Sequence, residues 1–386
     1  MKKSNLFLAG LTLCLFILNG CQDENVATID VAAIDITANS SAARISQKST
    51  GAVYLMDNAL TGNNIVVYNR SANGQLTAAG TYTTGGNGSG GGLGSQGSLI
   101  IDEDYLYACN AGSNEISVLH ITKSGLTLVD KIWSNGMRPI SITTHENLVY
   151  VLNAGGSGNI SGFTISDSHK LNPMAEATKP LSSSNAGPAQ IQFNESGSQL
   201  VVTEKATNNI LTYAIDSFGL PSNAVVHASV GQTPFGFEFG KNNTLIVSDA
   251  FGGVAGLSAL TSYSLSNNGN LNLISGPIGN SQAAACWVVV TNDGRFCYTT
   301  NTASDNISGY KITNSGALEL IDANGITVAS GDGPIDMYLS RDSRYLYVLN
   351  TNAHSISMFS IDNKGGLTTI GTATGLIAGS VGLAAQ

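Results

Sequence analysis

Apolar and polar residues alternate at period two through most of the chain, and short clusters of Asn, Asp and Gly interrupt the alternation. This pattern is typical of antiparallel β-strands joined by tight turns. Residues 333–367 show it most completely: one strand is entered through Pro334, a second ends at Asn350, a third covers 356–361 and a fourth opens at Leu367. One such four-stranded unit buries little surface alone, so we expect copies of it to pack beside it.

The unit recurs from Ala52 to the end of the chain. A small polar or acidic residue ends the second strand of each copy, at intervals of about 50 residues, which is the size of a propeller blade. These residues are Asn58, Asn110, Asn153, Glu204, Asp249, Asn301 and Asn350. The first copy lacks an inner strand, and residues 379–386 match an inner-strand entry. The sequence therefore predicts an all-β fold, a seven-bladed β-propeller of four-stranded blades, closed by the C-terminal strand joining the first blade.

The N-terminus carries an export signal. Lys2 and Lys3 precede an apolar stretch over 6–18, which is too short to span a bilayer but suits a signal peptide. The following Leu-Asn-Gly-Cys, ending at Cys21, resembles the bacterial lipobox, in which the cysteine is lipidated; the alternatives are an ordinary secretory peptide or a membrane span. We expect a signal peptide over 1–20, lipidated Cys21 with a tether over 21–51, and the propeller over 52–386. The expected location is the bacterial cell envelope, as an outer-membrane lipoprotein facing the periplasm or the cell surface.

Composition excludes several classes of partner. Charged residues form 11% of the chain and the formal net charge is −9, with no basic stripe, so we expect no nucleic-acid partner and a monomer. Cys109, Cys286 and Cys297 lie in apolar strands without a pairing pattern, so we expect small buried residues rather than disulfides. No H-E-x-x-H or paired-cysteine spacing indicates a metal, and we expect no cofactor.

Several segments resemble the seven-bladed lactonase family, which includes 6-phosphogluconolactonase and the muconate-lactonizing enzymes. They are NISGYKITNSGALELI, DSRYLYVLNTNAHSISMFSIDNKGGLTTI and NAGGSGNISGF, and the resemblance covers roughly residues 52–386. It implies chemistry by His, Arg and acidic residues at one mouth of the central channel. Where the family has H-P-H and P-R-H, this chain has GPA ending at Ala189 and PFG ending at Gly236. The histidine and arginine set that the resemblance implies is therefore absent.

Other polar residues are expected at that mouth, because inner strands begin there and second strands end there. The catalytic candidates are Glu204 and Asp249, an acidic pair that could activate water against a lactone; the alternative is that each is a satisfied strand-end residue. The ligand-binding candidates are Arg138, Ser141, Gln190, Lys205, Phe235, Trp287, Asp336 and His354. Core packing remains the alternative for Phe235 and Trp287, and a solvated loop position is the alternative for His354.

The Gly-rich run 85–98 contains a G-x-G-x-x-G, but a strand rather than a helix follows it, which argues against a phosphate cradle. We interpret it as a flexible blade connection on the mouth face, where it could act as a lid. Two functions remain open: a non-catalytic propeller that binds a ligand, glycan or protein partner at the mouth, and a hydrolase of an unidentified periplasmic or extracellular lactone. The missing histidine and arginine set favours the first.

Overall fold

The structure is a computed structural model that describes residues 50–386. Its strands form seven antiparallel sheets, arranged as the blades of a β-propeller. The second strands, such as Tyr345–Asn350, combine β-branched and aromatic residues with burial on both faces, because each lies between two neighbouring strands and two neighbouring blades. The predicted fold class is confirmed.

The first three blades contain the following strands, given from the channel outwards. Blade 1 contains Val381–Ala385, Gly51–Met56, Asn64–Arg70 and Leu76–Thr83. Blade 2 contains Leu99–Asp102, Tyr105–Asn110, Glu115–Thr122 and Gly125–Trp133. Blade 3 contains Pro139–His145, Leu148–Asn153 and Asn159–Ile165, with the short segments Leu171–Pro173 and Lys179–Pro180 at its outer edge.

The other four blades repeat this order. Blade 4 contains Pro188–Phe193, Gln199–Glu204, Asn209–Ala214 and Val225–Ala228. Blade 5 contains Pro234–Gly240, Thr244–Asp249, Ala259–Leu265 and Leu271–Gly279, with 3-10 turns at Lys241–Asn243 and Phe251–Gly253. Blade 6 contains Ala285–Val290, Phe296–Asn301, Asn306–Ile312, Leu318–Leu320 and Val328–Ala329. Blade 7 contains Pro334–Leu339, Tyr345–Asn350, Ser355–Ile361 and Leu367–Thr374.

The ring closes in blade 1 as predicted. The C-terminal strand Val381–Ala385 pairs antiparallel with Gly51–Met56, so that Leu383 lies opposite Leu55. Both leucines are buried. The pairing supplies the inner strand that the first copy lacks, and it removes the open sheet edge that would otherwise template aggregation.

Buried tyrosines join neighbouring blades. The hydroxyl of Tyr150 in blade 3 donates to the carbonyl of Gly219 in the outer turn of blade 4, at 2.6 Å. Tyr347 in blade 7 donates in the same way to Gly74 of blade 1, at 2.9 Å. A buried phenol needs a partner for its O–H, so these bonds fix each blade against the next and repeat across the seam where the ring closes.

The expected signal peptide, the Cys21 lipidation site and most of the tether lie outside the described residues. Within residues 50–386, no helix has the length and apolar character needed to cross a membrane. Cys109, Cys286 and Cys297 are buried and unpaired, as the sequence predicted.

Candidate functional site

The channel of the propeller has two ends with different surroundings. Inner strands begin and second strands end at one face, which we name the loop face because residues 85–98 lie over its channel end. Inner strands end at the opposite face, which we name the cavity face because the channel opens there into a cavity lined by strand-end residues such as Phe193, Leu339 and Ala385.

The seven residues predicted at the second-strand ends are all fully buried at the loop face; six of them end their strands, whereas Asn58 lies two residues beyond the strand end at Met56. In four blades an asparagine amide there donates to a serine hydroxyl of the adjacent third strand: Asn110 to Ser117 at 2.8 Å, Asn153 to Ser161 at 3.1 Å, Asn301 to Ser308 at 2.8 Å and Asn350 to Ser357 at 2.9 Å. These residues therefore join strands within a blade, which accounts for their recurrence along the sequence.

The two acidic strand ends are held by different partners. Glu204 accepts hydrogen bonds from the amide and hydroxyl of Ser182 and from Thr207 Oγ1 at 2.6 Å. Asp249 accepts only from Thr261 Oγ1, at 2.5 Å, and its Oδ1 is buried without a partner. Burial raises the pKa of Asp249 from 3.8 to about 7, although the Thr261 bond opposes the shift. Both carboxyls are enclosed by protein. Their assignment as a catalytic pair stays a prediction.

Residues 85–98 fill the channel end at the loop face. The Gln96 side-chain amide donates to the carbonyl of Val288 at 2.7 Å, and its Oε1 accepts from the Val288 amide at 2.9 Å. Its backbone amide donates to the carbonyl of Ala189 at 3.1 Å. Ser95 bonds the carbonyl of Ile140 through its hydroxyl, at 2.7 Å. The predicted connection on the mouth face is therefore bound across the channel to the inner strands of blades 3, 4 and 6.

Two of the predicted ligand-binding residues, Trp287 and Lys205, hold this loop, and Phe235 packs against both. The Trp287 indole donates to the carbonyl of Ser95 at 3.1 Å, and the Trp287 ring lies 4.9 Å from that of Phe235. The ammonium of Lys205 donates to the carbonyl of Gly94 and lies 4.6 Å from the centre of the Phe235 ring. Burial lowers the pKa of Lys205 to about 8, with a further contribution from Arg138. The structure brings Lys205, Phe235 and Trp287 together, beneath the loop.

The other predicted residues lie partly in exposed loops and partly inside the channel. Arg138 and His354 are exposed in loops. Ser141 is buried and accepts the amide of Ile191 at 3.1 Å. Gln190 exchanges two hydrogen bonds with the backbone of Phe237, at 2.9 and 2.7 Å, in the same manner as Gln96 and Val288.

Asp336 is the last of the predicted ligand-binding residues, and it lies inside the channel. It accepts the amide of Gly382 at 2.7 Å and thereby joins blade 7 to the closing strand. Burial raises its pKa to about 7, although the Gly382 amide and the Trp287 indole stabilise the anion. Asp336 and Gln190 line an inner cavity of about 200 Å³ that reaches Gln96.

A larger cavity of about 600 Å³ lies at the cavity face. It shares Gln192, Glu238, Val289 and Tyr338 with the inner cavity, so the two spaces follow one another along the channel. Its volume is within the range of about 300–1,000 Å³ that is usual for small-molecule sites. In residues 50–386 no group of three or more His, Cys, Asp or Glu could hold a metal ion.

Sequence reasoning missed the most distinctive group of this cavity, the Glu238 carboxyl. Its Oε1 accepts from Gln192 at 2.6 Å and from the Phe239 amide at 2.8 Å, whereas its Oε2 has no hydrogen-bond partner. Burial raises the pKa of Glu238 despite these two bonds. The available signal was one carboxylate in the otherwise apolar inner strand FGFEFG of blade 5.

A family model described as "Lactonase, 7-bladed beta-propeller" matches residues 95–182 and 257–377, which together make up more than half of the chain. The unmatched residues 183–256 form most of blades 4 and 5. No curated protein matches the sequence.

Solved structures share the fold at low sequence identity. A protein from Lactobacillus plantarum is 17% identical, covering 88% of this chain and 99% of its own, with a TM-score of 0.71. A candidate 6-phosphogluconolactonase from Bacteroides fragilis is 16% identical over 88% of this chain and 99% of its own, with a TM-score of 0.68. A periplasmic gluconolactonase from Pseudomonas aeruginosa is 16% identical over 86% and 98%, with a TM-score of 0.66. At these identities the likeness establishes the fold alone.

Proposed function

This chain belongs to the seven-bladed β-propeller lactonase family, and from that premise we propose that it is a lipid-anchored binding protein of the cell envelope without lactone-hydrolysing activity. The observation that carries the proposal is the loop over 85–98, which occupies the channel end where the resemblance places the family's chemistry. A lactone would have to displace Gln96 from both of its bonds to Val288 before it reached the inner strands there.

The chemistry of the same channel end supports the proposal. Hydrolysis needs a base that reaches an attacking water and donors that hold the oxyanion. Asp249 and Glu204 are enclosed, and the positions of the family's histidines and arginine fall on Gly187, Ala189 and Phe235–Gly236. These positions lie in residues 183–256, the part that the family model leaves unmatched.

The anchoring part of the proposal rests on Cys21 in its lipobox-like context. We expect the wild-type chain to fractionate with membranes and Cys21→Ser to become soluble or to stay unprocessed, because each buried acyl methylene contributes about 0.8 kcal/mol of membrane affinity. Cys14→Ser, within the expected signal peptide, is the control and should fractionate like wild type. Unchanged membrane association of Cys21→Ser would exclude lipidation as the anchor.

Lactone hydrolysis is the second candidate function. It is favoured by family membership and by the names of two structural relatives, a candidate 6-phosphogluconolactonase and a periplasmic gluconolactonase. Against it stand the filled channel end and the absence of the implied histidine and arginine set.

A lactone assay distinguishes the two functions. The mature chain is incubated at pH 7 with 6-phosphogluconolactone and with a panel of unphosphorylated aldonolactones, and hydrolysis is compared with buffer alone. We expect no acceleration on any of them. Turnover above about 1 s⁻¹, within the ordinary range for enzymes, would refute the proposal. Glu204→Gln and Asp249→Asn would then be assayed, and a collapse of turnover in either would assign the predicted acidic pair as catalytic.

A further inference from the structure

Near the cavity face, the inner part of the channel carries carboxyl groups, whereas its rim carries side chains of both charges. Glu238 and Asp336 line the inner cavity, where the described residues include no Lys or Arg. The outer cavity contains Lys241 and Arg341, but also Glu103 and Glu195, so its rim charges balance. A ligand that enters the channel therefore meets a balanced rim and then a field of negative sign.

Glu238 is fixed in place but incompletely satisfied. Its Oε1 accepts two hydrogen bonds, from Gln192 and from the Phe239 amide, and these bonds orient the carboxyl. Oε2 has no protein partner, and the side chain keeps part of its surface open to the cavity. Carboxylates within proteins are normally paired, and the raised pKa of Glu238 is what burial without a cation produces.

Three aromatic residues are among those that line the two cavities to which Glu238 contributes. Tyr338 lines both cavities, lies close enough for its pKa to be raised by Glu238 as well as by burial, and has no hydrogen-bond partner for its hydroxyl. Phe193 and Phe239 line the outer cavity. A carboxylate flanked by aromatic rings is a recognition environment for an ammonium group, through a charge-assisted hydrogen bond and cation–π attraction.

We propose that this cavity binds a small aliphatic amine, whose ammonium group donates to Glu238 Oε2 between Tyr338 and the phenylalanine walls. The elongated space formed by the two cavities suits a linear molecule that enters with one ammonium group first and extends its chain towards the rim. Gln192, Glu238 and Phe239 all lie in residues 183–256, which the family model does not match, whereas Tyr338 lies in a matched segment.

This inference names a class of ligand for the proposed binding function. It rests on that function only because it requires the protein to have a binding role. The lactone assay tests the absence of hydrolysis and the binding measurement tests the amine site. Either result can therefore fail while the other stands.

The test is isothermal titration calorimetry of the mature chain at pH 8 with butylamine, 1,4-diaminobutane and spermidine. The neutral 1,4-butanediol and the anionic succinate serve as matched probes of similar length. We expect at least one amine to bind and both controls to fail. Binding of succinate or butanediol in place of the amines, or binding of none of the five, would overturn the proposal.

Two variants locate the site. Glu238→Gln can keep the two bonds accepted by Oε1 while it replaces the free anionic oxygen with an amide donor, and it should weaken amine binding about tenfold or more. Tyr338→Phe removes a hydroxyl that has no partner in the protein and should weaken binding several-fold without loss of fold. Glu319→Gln, in an exposed ion pair with Lys311 on blade 6, is the control and should bind like wild type. Amine affinity that is unchanged in Glu238→Gln would place the amine elsewhere and refute this site.

Discussion

The two faces of the propeller differ in the kinds of side chain that they expose. Connections and strand ends at the loop face expose large apolar residues, namely Leu60, Trp133, Met137, Val254, Leu257 and Ile377. The turns at the cavity face expose Phe218 but otherwise carry mainly charges, including Glu103, Glu146, Glu195, Lys241, Arg341 and the exposed ion pairs Arg295–Asp293 and Arg344–Asp342.

The faces also differ in how they treat polar groups within the channel. At the loop face most polar groups of the channel end are joined to another group, as Gln96 is to a strand 192 residues away, but Ser98 Oγ, Asn153 Oδ1 and Asp249 Oδ1 are buried there without a partner. At the cavity face Glu238 Oε2 and the Tyr338 hydroxyl have no partner. Glu238 and Tyr338 are half-buried and line the cavity, so their free oxygens are open to a ligand, whereas the unpartnered oxygens of the loop face are enclosed by protein. The difference separates a structural end of the channel from an open one.

Removal of the closing strand should disturb both faces and have the largest effect. Deletion of residues 380–386 exposes the edge of Gly51–Met56 and removes Val381 and Leu383, whose burial contributes roughly 1.5–3 kcal/mol each before ladder bonds are counted. We expect aggregation or a large fall in Tm, measured by calorimetry. The exposed Ile377→Ser variant is the control from the same segment. A deletion variant that melts like wild type would disprove closure by this strand.

Asp249→Asn should alter the pH dependence of the loop face. Burial raises the pKa of Asp249 in the folded state to about 7, against 3.8 for an exposed aspartate. The unfolded chain therefore loses the proton first, and stability falls as the pH rises from about 4 to 7 and stays low above it. At pH 8 the asparagine that five other blades carry should increase the free energy of unfolding, by on the order of 4 kcal/mol at most.

The measurement is denaturant unfolding of wild type and Asp249→Asn at pH 5 and pH 8. Asn301→Asp is the reciprocal control, because it places a carboxyl at the matching position of blade 6 and should destabilise the protein at pH 8. An Asp249→Asn variant whose gain is equal at both pH values would show that titration of Asp249 is not the cause.

Gln96→Ala should open the loop face selectively. It leaves the amide and carbonyl of Val288 without their side-chain partners, at about 1–3 kcal/mol for each buried group that stays unsatisfied. Gln190→Ala is the matched control, since it removes the same pair of bonds to Phe237 in the neighbouring blade. We expect similar losses of stability from both, but faster proteolysis within 85–98 from Gln96→Ala alone. Equal proteolysis in the two variants would show that Gln96 does not hold the loop.

The repeat made the fold predictable from the sequence. Turn residues between alternating strands marked each blade, and the unmatched strand at 379–386 indicated closure, because local patterns dictate local strands and only a ring satisfies all of them. The recurring Asn at the second-strand ends was visible too, and a satisfied strand end was the alternative interpretation of Glu204 and Asp249 at the matching positions. The serine that this asparagine bonds lies only a few residues later in the chain, and the same pair recurs in other blades.

The sites were less predictable, because they depend on contacts between distant segments. Residues 85–98 read as a flexible linker from their glycine content, whereas Leu93 and Gln96 are buried across the channel from their own blades. Glu238 shares its strand with the expected site residue Phe235, but the strand carries the two side chains towards opposite faces of the propeller. Polar residues near the start of an inner strand were considered, and those near its end were not.

The central claim is that the chain's own loop fills the channel end at the loop face, and the solvent accessibility of Trp287 tests it most directly. The chain has two tryptophans, and Trp133 is exposed whereas Trp287 is buried against Ser95. In Trp133→Phe the remaining fluorescence comes from Trp287 alone. We predict weak quenching by acrylamide in that variant and strong quenching once Gln96→Ala is added. Quenching of Trp287 as strong as that of a free tryptophan, with Gln96 intact, would contradict the claim.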